Sequence, residues 1–306
     1  MPVDYLLDPA ELTRGQRWLR QWWPSSRLGT DPQQGLRVAG RYTPVSIANW
    51  KLIPAVARRL LALRVERPLT FAADQSLAVV IPYRDRQDHL AQLLPVLTAT
   101  LREQQLRHRI IVVEQATAGP FNRGRLLNIG AHHAAPAADY YCLHDVDAVP
   151  IRANYLCPSQ PLRLVTKIVT AGGESQRPDH YFSGAVSIRK EQMFAANGFS
   201  NEYWGWGKED DDFFFRLLMT GLLCYFDLQG EFRDLPNPRH QQVRRRRFVA
   251  ARSMRSNRRR RSRLLRGLET PAHDGLSNLD YQIVERFEHE DHEKICVRWP
   301  VMEERR

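Results

Sequence analysis

Short apolar runs alternate with amphipathic stretches through the middle of the chain. The segments Leu77–Ile81, His108–Glu114 and Tyr140–His144 are almost uniformly apolar, which is typical of strands buried on both faces. Between them, Asp88–Gln104 and Leu126–His133 have helical spacing, with Asp88 as a candidate N-cap. This alternation predicts an α/β fold in which helices flank a mostly parallel central sheet.

Polar motifs follow the first and third predicted strands. Pro82–Arg86 comes directly after the first strand, and Asp145–Asp147 ends the third. Ligands of open parallel sheets bind at the carboxyl ends of the strands. We therefore expect these two motifs to share one site.

The first 73 residues have a different pattern, rich in Trp, Leu and Arg and interrupted by proline. Apolar and basic positions alternate from Trp50 to Val65, which predicts an amphipathic helix that packs on the main domain or lies on a membrane surface. We expect an N-terminal extension, largely helical, over residues 1–73 and a catalytic domain over residues 74–306.

The basic charge is concentrated in one segment. The net charge is +11, but 13 arginines and no acidic residue lie within Arg239–Arg266, and subtracting these 13 leaves −2 for the remainder. An anionic partner would therefore meet this segment alone. The alternative is a solvated basic insertion.

Targeting signals and cysteine pairs are not evident in the sequence. Neither a secretory signal nor a sufficiently long apolar run is found, so we expect a cytoplasmic protein, with peripheral contact at a bacterial inner membrane as a further expectation. The four cysteines are widely spaced and contain no C-x-x-C pair, which predicts free thiols.

Two acidic motifs are candidates for chemistry. Asp145 and Asp147 at a strand end can share a divalent cation with a diphosphate, although an isolated Asp-x-Asp is a weak signal. The run Tyr203–Asp212 is more specific: Trp204 and Trp206 alternate with glycines and precede four acids. Indole faces suit stacking on sugar rings, and clustered carboxylates raise one another's pKa, which favours a general base. Acids also favour the first turn of a helix, so a purely structural role for them stays open.

Arginines and an aromatic residue could hold a nucleotide. Arg84 and Arg86 follow the first strand and suit phosphate or uracil-ribose recognition, and Phe121 can stack on a base.

Together these motifs resemble the β-1,4-galactosyltransferase family of inverting nucleotide-sugar transferases. The matching segments occur in the family's order and extend over roughly residues 77–284: Val80–Leu90, Phe121–Gly130, Asp145–Asp147, Tyr181–Ala185, Asn197–Phe199, Tyr203–Asp212 and Asp274–Tyr281.

The resemblance implies a GT-A-type fold, a UDP-sugar donor, a saccharide or glycolipid acceptor, and Mn²⁺, with Mg²⁺ as the alternative. Donor-binding residues would be Pro82, Tyr83, Arg84, Arg86, Phe121, Arg123, Asp145, Val146, Tyr181 and Trp206. Asp210 would be the catalytic base, with Glu209 as a second catalytic group; Trp206, Asp210 and Asp211 would contact the acceptor. Asp147 would ligate the metal. The implied reaction inverts the anomeric centre and transfers galactose or a related hexose, forming a β-1,4 linkage in a surface glycan or glycolipid.

The sequence departs from the family pattern at three places. Where the family completes its metal site with an Arg-His pair, this chain has Arg233-Asp234, so Asp234 is expected as a ligand, with Glu231 or His240 as a candidate third. Ser183 replaces a usual glycine. The arginine-rich segment, about 239–266, is longer than the family's lid loop and favours an anionic acceptor or membrane surface.

A nucleic-acid or anionic-surface binder built on an inactive transferase-like fold is the alternative function. The arginine run has few interleaved aromatics, and no nucleic-acid-binding motif surrounds it, so nucleic acid is the less favoured partner.

Overall fold

The computed structural model describes residues 36–37, 42–44, 69–177, 182–236, 247–265, 268 and 271–300. Five α-helices lie in these ranges: α1 Gln87–Glu103, α2 Arg123–Ala134, α3 Lys190–Ala195, α4 Glu209–Met219 and α5 Arg247–Leu265. Two short 3-10 helices cover Pro271–His273 and Leu276–Asn278. The strands are β1 Leu36–Arg37, β2 Tyr42–Pro44, β3 Thr70–Ala72, β4 Leu77–Tyr83, β5 His108–Gln115, β6 Tyr140–His144, β7 Ala148–Arg152, β8 Cys157–Pro158, β9 Leu162–Arg163, β10 Lys167–Thr170, β11 Gly173–Gln176, β12 Ala185–Arg189, β13 Tyr225–Asp227, β14 Glu231–Asp234, β15 Gln282–Glu288 and β16 Glu293–Arg298.

A nine-stranded sheet forms the centre of the molecule, in the order β15-β16-β5-β4-β6-β12-β9-β13-β2. β4 pairs in parallel with both β5 and β6, as the alternating pattern predicts. Every residue of β4 and of β6 is buried, because apolar layers pack on both faces of the sheet. The predicted α/β architecture is confirmed, and the carboxyl ends of β4, β5 and β6 lie side by side. The sheet is mixed rather than mostly parallel, because four of its eight pairings are antiparallel.

A smaller sheet, in the order β11-β10-β14-β7, brings Asp234 close to the Asp145–Asp147 motif. β14 pairs antiparallel with β7, so that Asp234 stands opposite Ala148. The backbone N–H of Leu235 donates to the carbonyl of Asp147 at 2.8 Å. Asp234 and Asp147 are 87 positions apart in the chain, but this pairing brings their backbones close together.

The described parts of the N-terminal extension are strands. β1 pairs with β3, which pairs with β8, and β2 pairs with β13 at the edge of the main sheet. The extension thus contributes to the sheets of the catalytic domain. The helix predicted for Trp50–Val65 lies outside the described residues and stays a prediction.

Helix starts differ from expectation at α1. The predicted cap Asp88 lies in its first turn instead, and the helix begins after Arg86, which makes no side-chain capping hydrogen bond. At α2, Asn122 is the cap, because its side-chain oxygen accepts from the N–H of Arg125 at 3.0 Å.

The predicted free thiols are confirmed: all four cysteines are buried and unpaired with one another. No helix in the described part of the chain is long and apolar enough to cross a bilayer.

Candidate active site

The loop after β4 meets the loop before α2 at the carboxyl edge of the sheet. The guanidinium of Arg84 donates to the carbonyl of Gly119 at 2.9 Å and lies 5.4 Å from the centre of the Phe121 ring. Pro82 and Tyr83 are buried at the end of β4, and Arg86 is partly exposed at the start of α1. A cation and an aromatic face therefore stand together where nucleotides bind in such sheets.

Arg123 links two acidic motifs that are distant in sequence. Its Nε lies 2.6 Å from Asp145 Oδ1, and its Nη1 lies 3.9 Å from Glu209 Oε1. Burial lowers the pKa of Arg123, but the carboxylates of Asp145 and Glu209 outweigh burial and raise that pKa above its ordinary value. Arg123 is thus a permanent cation that holds the start of α2 against the end of β6.

A neutral histidine, His144, fixes the backbone of the Asp145–Asp147 segment. His144 Nδ1 is 2.9 Å from the carbonyl of Asp145, and its Nε2 is 3.0 Å from the hydroxyl of Tyr155. Burial lowers the pKa of His144 to about 4, so the ring is uncharged at neutral pH. Val146 is buried between the two aspartates, which anchors the turn in the core.

The tryptophan-glycine loop has an unusual backbone. Gly205 and Gly207 have φ of 72° and 96°, and Lys208, the residue before α4, has φ of 84°. Left-handed values suit glycine but cost a lysine conformational energy, so surrounding contacts must hold the loop. This conformation leaves the Trp206 side chain 58% exposed, available to stack on a sugar.

The first two acids of α4 have raised pKa values. Burial and the charge of Asp210 raise the pKa of Glu209 to about 8, although Arg123 lowers it. Burial and the neighbouring Asp211 raise the pKa of Asp210, against lowering contributions from Arg123 and Lys208. Glu209 Oε2 is buried without a hydrogen-bond partner among the described residues, so it can receive or donate a hydrogen bond to a bound sugar.

The other two acids of the run have structural partners. Asp211 accepts from Lys208 Nζ at 2.7 Å and from Arg261 Nη1 at 2.6 Å. Asp212 is almost fully buried, 2.5 Å from Arg216 Nε, and accepts from the hydroxyl of Tyr203 at 3.0 Å. Asp211 and Asp212 therefore have structural partners, whereas a chemical role for Glu209 and Asp210 stays a prediction.

The predicted metal ligands Asp147 and Asp234 both carry carboxylate oxygens, and the pairing of β14 with β7 brings their backbones close together. Asp147 and Asp234 are both partly exposed, and Arg177 Nη2 lies 3.3 Å from Asp234 Oδ2. No group of three or more His, Cys, Asp or Glu side chains within the described ranges could hold a metal ion alone. Two carboxylates fit a hard divalent ion that takes its remaining oxygens from a diphosphate. Their assignment as ligands stays a prediction, as does that of Glu231, and Tyr181 and His240 lie outside the described residues.

The described part of the arginine run is helix α5, which packs on the tryptophan-glycine loop. The Asn257 amide, 3% exposed, donates to the carbonyls of Gly207 at 2.8 Å and Trp204 at 3.1 Å. The Ser253 hydroxyl also donates to the Trp204 carbonyl. This part of the arginine-rich segment is therefore packed on the loop and is not simply a solvated insertion.

Sequence reasoning missed Ser253, Asn257 and Arg261 as neighbours of the site. They are spaced four residues apart and therefore share one face of α5. That spacing was the available signal, and the surrounding arginines obscured it.

Comparisons with known proteins decide the family. A model of the N-terminal region of glycosyl transferase group 7 matches residues 36–158, and a model of the N-terminal domain of galactosyltransferase matches residues 165–233. The chain belongs to the β-1,4-galactosyltransferase family. The match starts at residue 36, within the extension, consistent with the strands found there.

Several curated relatives of this galactosyltransferase family member are animal enzymes. Beta-1,4-galactosyltransferase 1 of Bos taurus is 35% identical over 234 residues, covering 75% of this chain and 56% of that protein. Beta-1,4-galactosyltransferase 4 of Rattus norvegicus is 43% identical over 150 residues, covering 48% and 43%. The chain spans about half the length of the curated relatives it matches.

Solved structures give the same fold. The catalytic domain of Drosophila beta-1,4-galactosyltransferase 7 in complex with xylobiose has a TM-score of 0.60 and 27% identity, covering 74% of this chain and 95% of that one. A variant of that enzyme, bound to manganese, UDP-Gal and xylobiose, aligns equally well. The GT-A-type fold predicted from the resemblance is confirmed.

Proposed function

We propose that this protein transfers galactose from UDP-galactose to a saccharide hydroxyl with inversion. The observation that carries the proposal is the junction of three motifs: Arg123 lies 2.6 Å from Asp145 and 3.9 Å from Glu209. This junction supports the assignment of Asp210, the residue after Glu209, to the donor edge of the sheet. The family membership and the manganese, UDP-Gal and xylobiose bound to the Drosophila relative support this choice of donor and acceptor.

The donor nucleotide is assigned to the edge formed by the loop after β4 and the start of α2. Phe121 offers a flat face, and Arg84, 5.4 Å from the centre of that face, offers positive charge. The remaining donor assignments are Pro82, Tyr83, Arg86, Arg123, Asp145, Val146, Tyr181 and Trp206. Asp147 and Asp234 would hold Mn²⁺ or Mg²⁺, which when bound offsets negative charge on the departing diphosphate.

Asp210 is proposed as the general base. It takes the proton of the acceptor hydroxyl as that oxygen bonds to the anomeric carbon, while the bond from this carbon to the UDP oxygen breaks and UDP leaves with the bonding electrons. Because the pKa of Asp210 is raised, its carboxylate is a better proton acceptor than an ordinary aspartate. Glu209, with a pKa of about 8, is protonated at neutral pH and can donate a hydrogen bond to a sugar oxygen.

A panel of UDP-sugars tests the donor. With Mn²⁺ and with xylobiose, glucose or N-acetylglucosamine as acceptor, UDP release should be fastest from UDP-galactose, and NMR of the product should show a β-anomeric configuration and report its linkage. Faster turnover of UDP-N-acetylgalactosamine or UDP-glucose would reassign the donor. A lack of UDP binding in calorimetry would contradict the transferase function.

The outer face of α5 is proposed to meet anionic groups on the acceptor or on a membrane to which the enzyme binds peripherally, as expected of a cytoplasmic bacterial enzyme. Arg255, Arg258 and Arg259 are exposed, and Arg255 and Arg259 lie on the face opposite Asn257. Each basic residue near an anionic surface contributes about 1 kcal/mol. Replacing all three by glutamine should weaken sedimentation with phosphatidylglycerol vesicles if the partner is lipid. If the partner is the acceptor, it should raise only the KM of carboxylated acceptors. Unchanged behaviour in both assays would contradict this part of the proposal.

A further inference from the structure

The tryptophan-glycine loop is held in its conformation by one stripe of α5. Ser253, Asn257 and Arg261 lie at i, i+4 and i+8, so they share one face of the helix. Ser253 and Asn257 donate to carbonyl groups of the loop, and Arg261 Nη1 lies 2.6 Å from Asp211 Oδ2 in the first turn of α4. The stripe therefore binds both the loop and the helix that follows it.

The contact is too close to admit side chains on the loop glycines. A Cβ atom on Gly205 would lie 2.6 Å from Ser253 Oγ, and one on Gly207 would lie 2.9 Å from Met254 Cε. The glycines therefore serve two purposes: they adopt positive φ, and they let α5 approach the backbone.

Asn257 satisfies several of the carbonyls that this backbone turns toward α5. Its amide nitrogen is 3.1, 3.5 and 2.8 Å from the carbonyl oxygens of Trp204, Trp206 and Gly207. Carbonyls buried without a donor are costly, so removing the amide would favour a different loop conformation. That loop carries Trp206 and leads directly into Asp210.

We propose that Asn257 is a positioning residue that fixes the loop of Trp206 and the start of α4 in the arrangement used for acceptor binding, with Ser253 and Arg261 in support. Part of the arginine-rich segment thus belongs to the acceptor site through backbone hydrogen bonds, independently of its charge. The inference deepens the proposed transferase function and rests on it for its kinetic consequences only.

Asn257→Asp and Asn257→Ala test the proposal, with Ser256→Ala as the matched control, since Ser256 is the preceding residue on α5 and is exposed. Asn257→Asp keeps the shape of the side chain but removes its donor. Hydrogen–deuterium exchange of the backbone amides of residues 203–208 should accelerate in both Asn257 variants, on the order of 10-fold as one backbone hydrogen-bond network is lost. The control should match wild type.

Kinetics give the readout that a merely structural role would not change. UDP release from UDP-galactose, to xylobiose or N-acetylglucosamine, should show a raised acceptor KM with an unchanged dissociation constant for UDP. If neither sugar is an acceptor, the exchange measurement alone decides the proposal. Should Asn257→Ala fail to fold, Ser253→Ala removes a single hydrogen bond and carries the same test. Wild-type exchange rates over residues 203–208 in the folded Asn257 variants would overturn the inference, whereas absent wild-type turnover would count only against the proposed function.

Discussion

Arg123 Nε lies 2.6 Å from Asp145 Oδ1, at the point where the start of α2 meets the end of β6. The same guanidinium faces Glu209 at 3.9 Å. One cation thus sets the spacing between the aspartate motif and the acidic start of α4, and it lowers the pKa values of Glu209 and Asp210. The proposed donor edge and the proposed general base, Asp210, therefore both depend on this one side chain.

Replacing Arg123 should change both rate and pH dependence. Arg123→Gln removes the charge that lowers the pKa of Asp210, so the acid limb of the kcat/KM profile moves to higher pH and activity at pH 7 falls on the order of 100-fold. Arg123→Lys retains the charge but loses the geometry, so its limb should stay near the wild-type position. A pH profile of UDP release measures both. An unshifted limb in Arg123→Gln would show that Arg123 does not act on the base.

The stability of the protein should respond to Glu209 in the direction opposite to that of an ordinary ion-paired carboxylate. The pKa of Glu209 is about 8 in the folded state against 4.5 ordinarily, so the folded protein holds a proton that the unfolded chain has lost between these values. Stability from this group is therefore present below pH 4.5 and declines as pH rises toward 8. Glu209→Gln should gain stability relative to wild type as pH rises from 5 to 8, because each unit of difference in pKa corresponds to about 1.4 kcal/mol. Thermal melts across this range test the slope, and a difference that grows toward acid pH would be evidence against it.

Asp212 should matter for folding rather than for chemistry. Its carboxylate and the Arg216 guanidinium are each 2% exposed and 2.5 Å apart. Arg216→Met leaves a buried carboxylate without its cation and should cost about 3–5 kcal/mol in the free energy of unfolding. Denaturant titration measures this cost. The exposed Arg258→Met, on α5, is the control and should stay within about 0.5 kcal/mol of wild type.

Arg177 should compete with a divalent ion for Asp234. Its Nη2 lies 3.3 Å from Asp234 Oδ2, and both side chains are 34% exposed. Arg177→Ala should therefore tighten Mn²⁺ binding a few-fold in the absence of nucleotide, as expected for a partly exposed ion pair. Asp147→Ala and Asp234→Asn should weaken it. Electron paramagnetic resonance of free Mn²⁺ gives the affinities, and unchanged binding in Asp234→Asn would remove this residue from the ligand set.

The β4, β5 and β6 part of the central sheet could be predicted from sequence because these strands are almost uniformly apolar. Leu77–Tyr83 is buried on both faces, and a pattern of this kind has few alternatives once helices alternate with it. The motifs lie at the ends of these strands for the same reason, although Pro82 and Tyr83 belong to β4 itself and not to the segment after it. The pairing of β14 with β7, which brings Asp234 near Asp147, could not be derived from periodicity, because it joins short strands far apart in the chain.

The role of α5 was also beyond the sequence pattern. Arginine is the most frequent residue in this helix, and its charge alone indicates a solvated face or an anionic partner. What fixes its position is a set of side chain to backbone hydrogen bonds from Ser253 and Asn257, and such bonds have no signature in hydrophobic periodicity. The left-handed backbone conformation of Lys208 could not be predicted from the sequence either, because lysine rarely adopts this conformation.

The most direct test of the account compares Asp210→Asn with Asp211→Asn in UDP release from UDP-galactose with Mn²⁺. Asp211 is tied to Lys208 and Arg261, whereas Asp210 is the proposed base. Asp210→Asn should lower kcat by on the order of 100- to 10,000-fold while UDP binding in calorimetry is retained. Asp211→Asn should retain most of kcat and raise the acceptor KM. Turnover that persists in Asp210→Asn, or that is lost only in Asp211→Asn, would contradict the assignment of the base and with it the central claim.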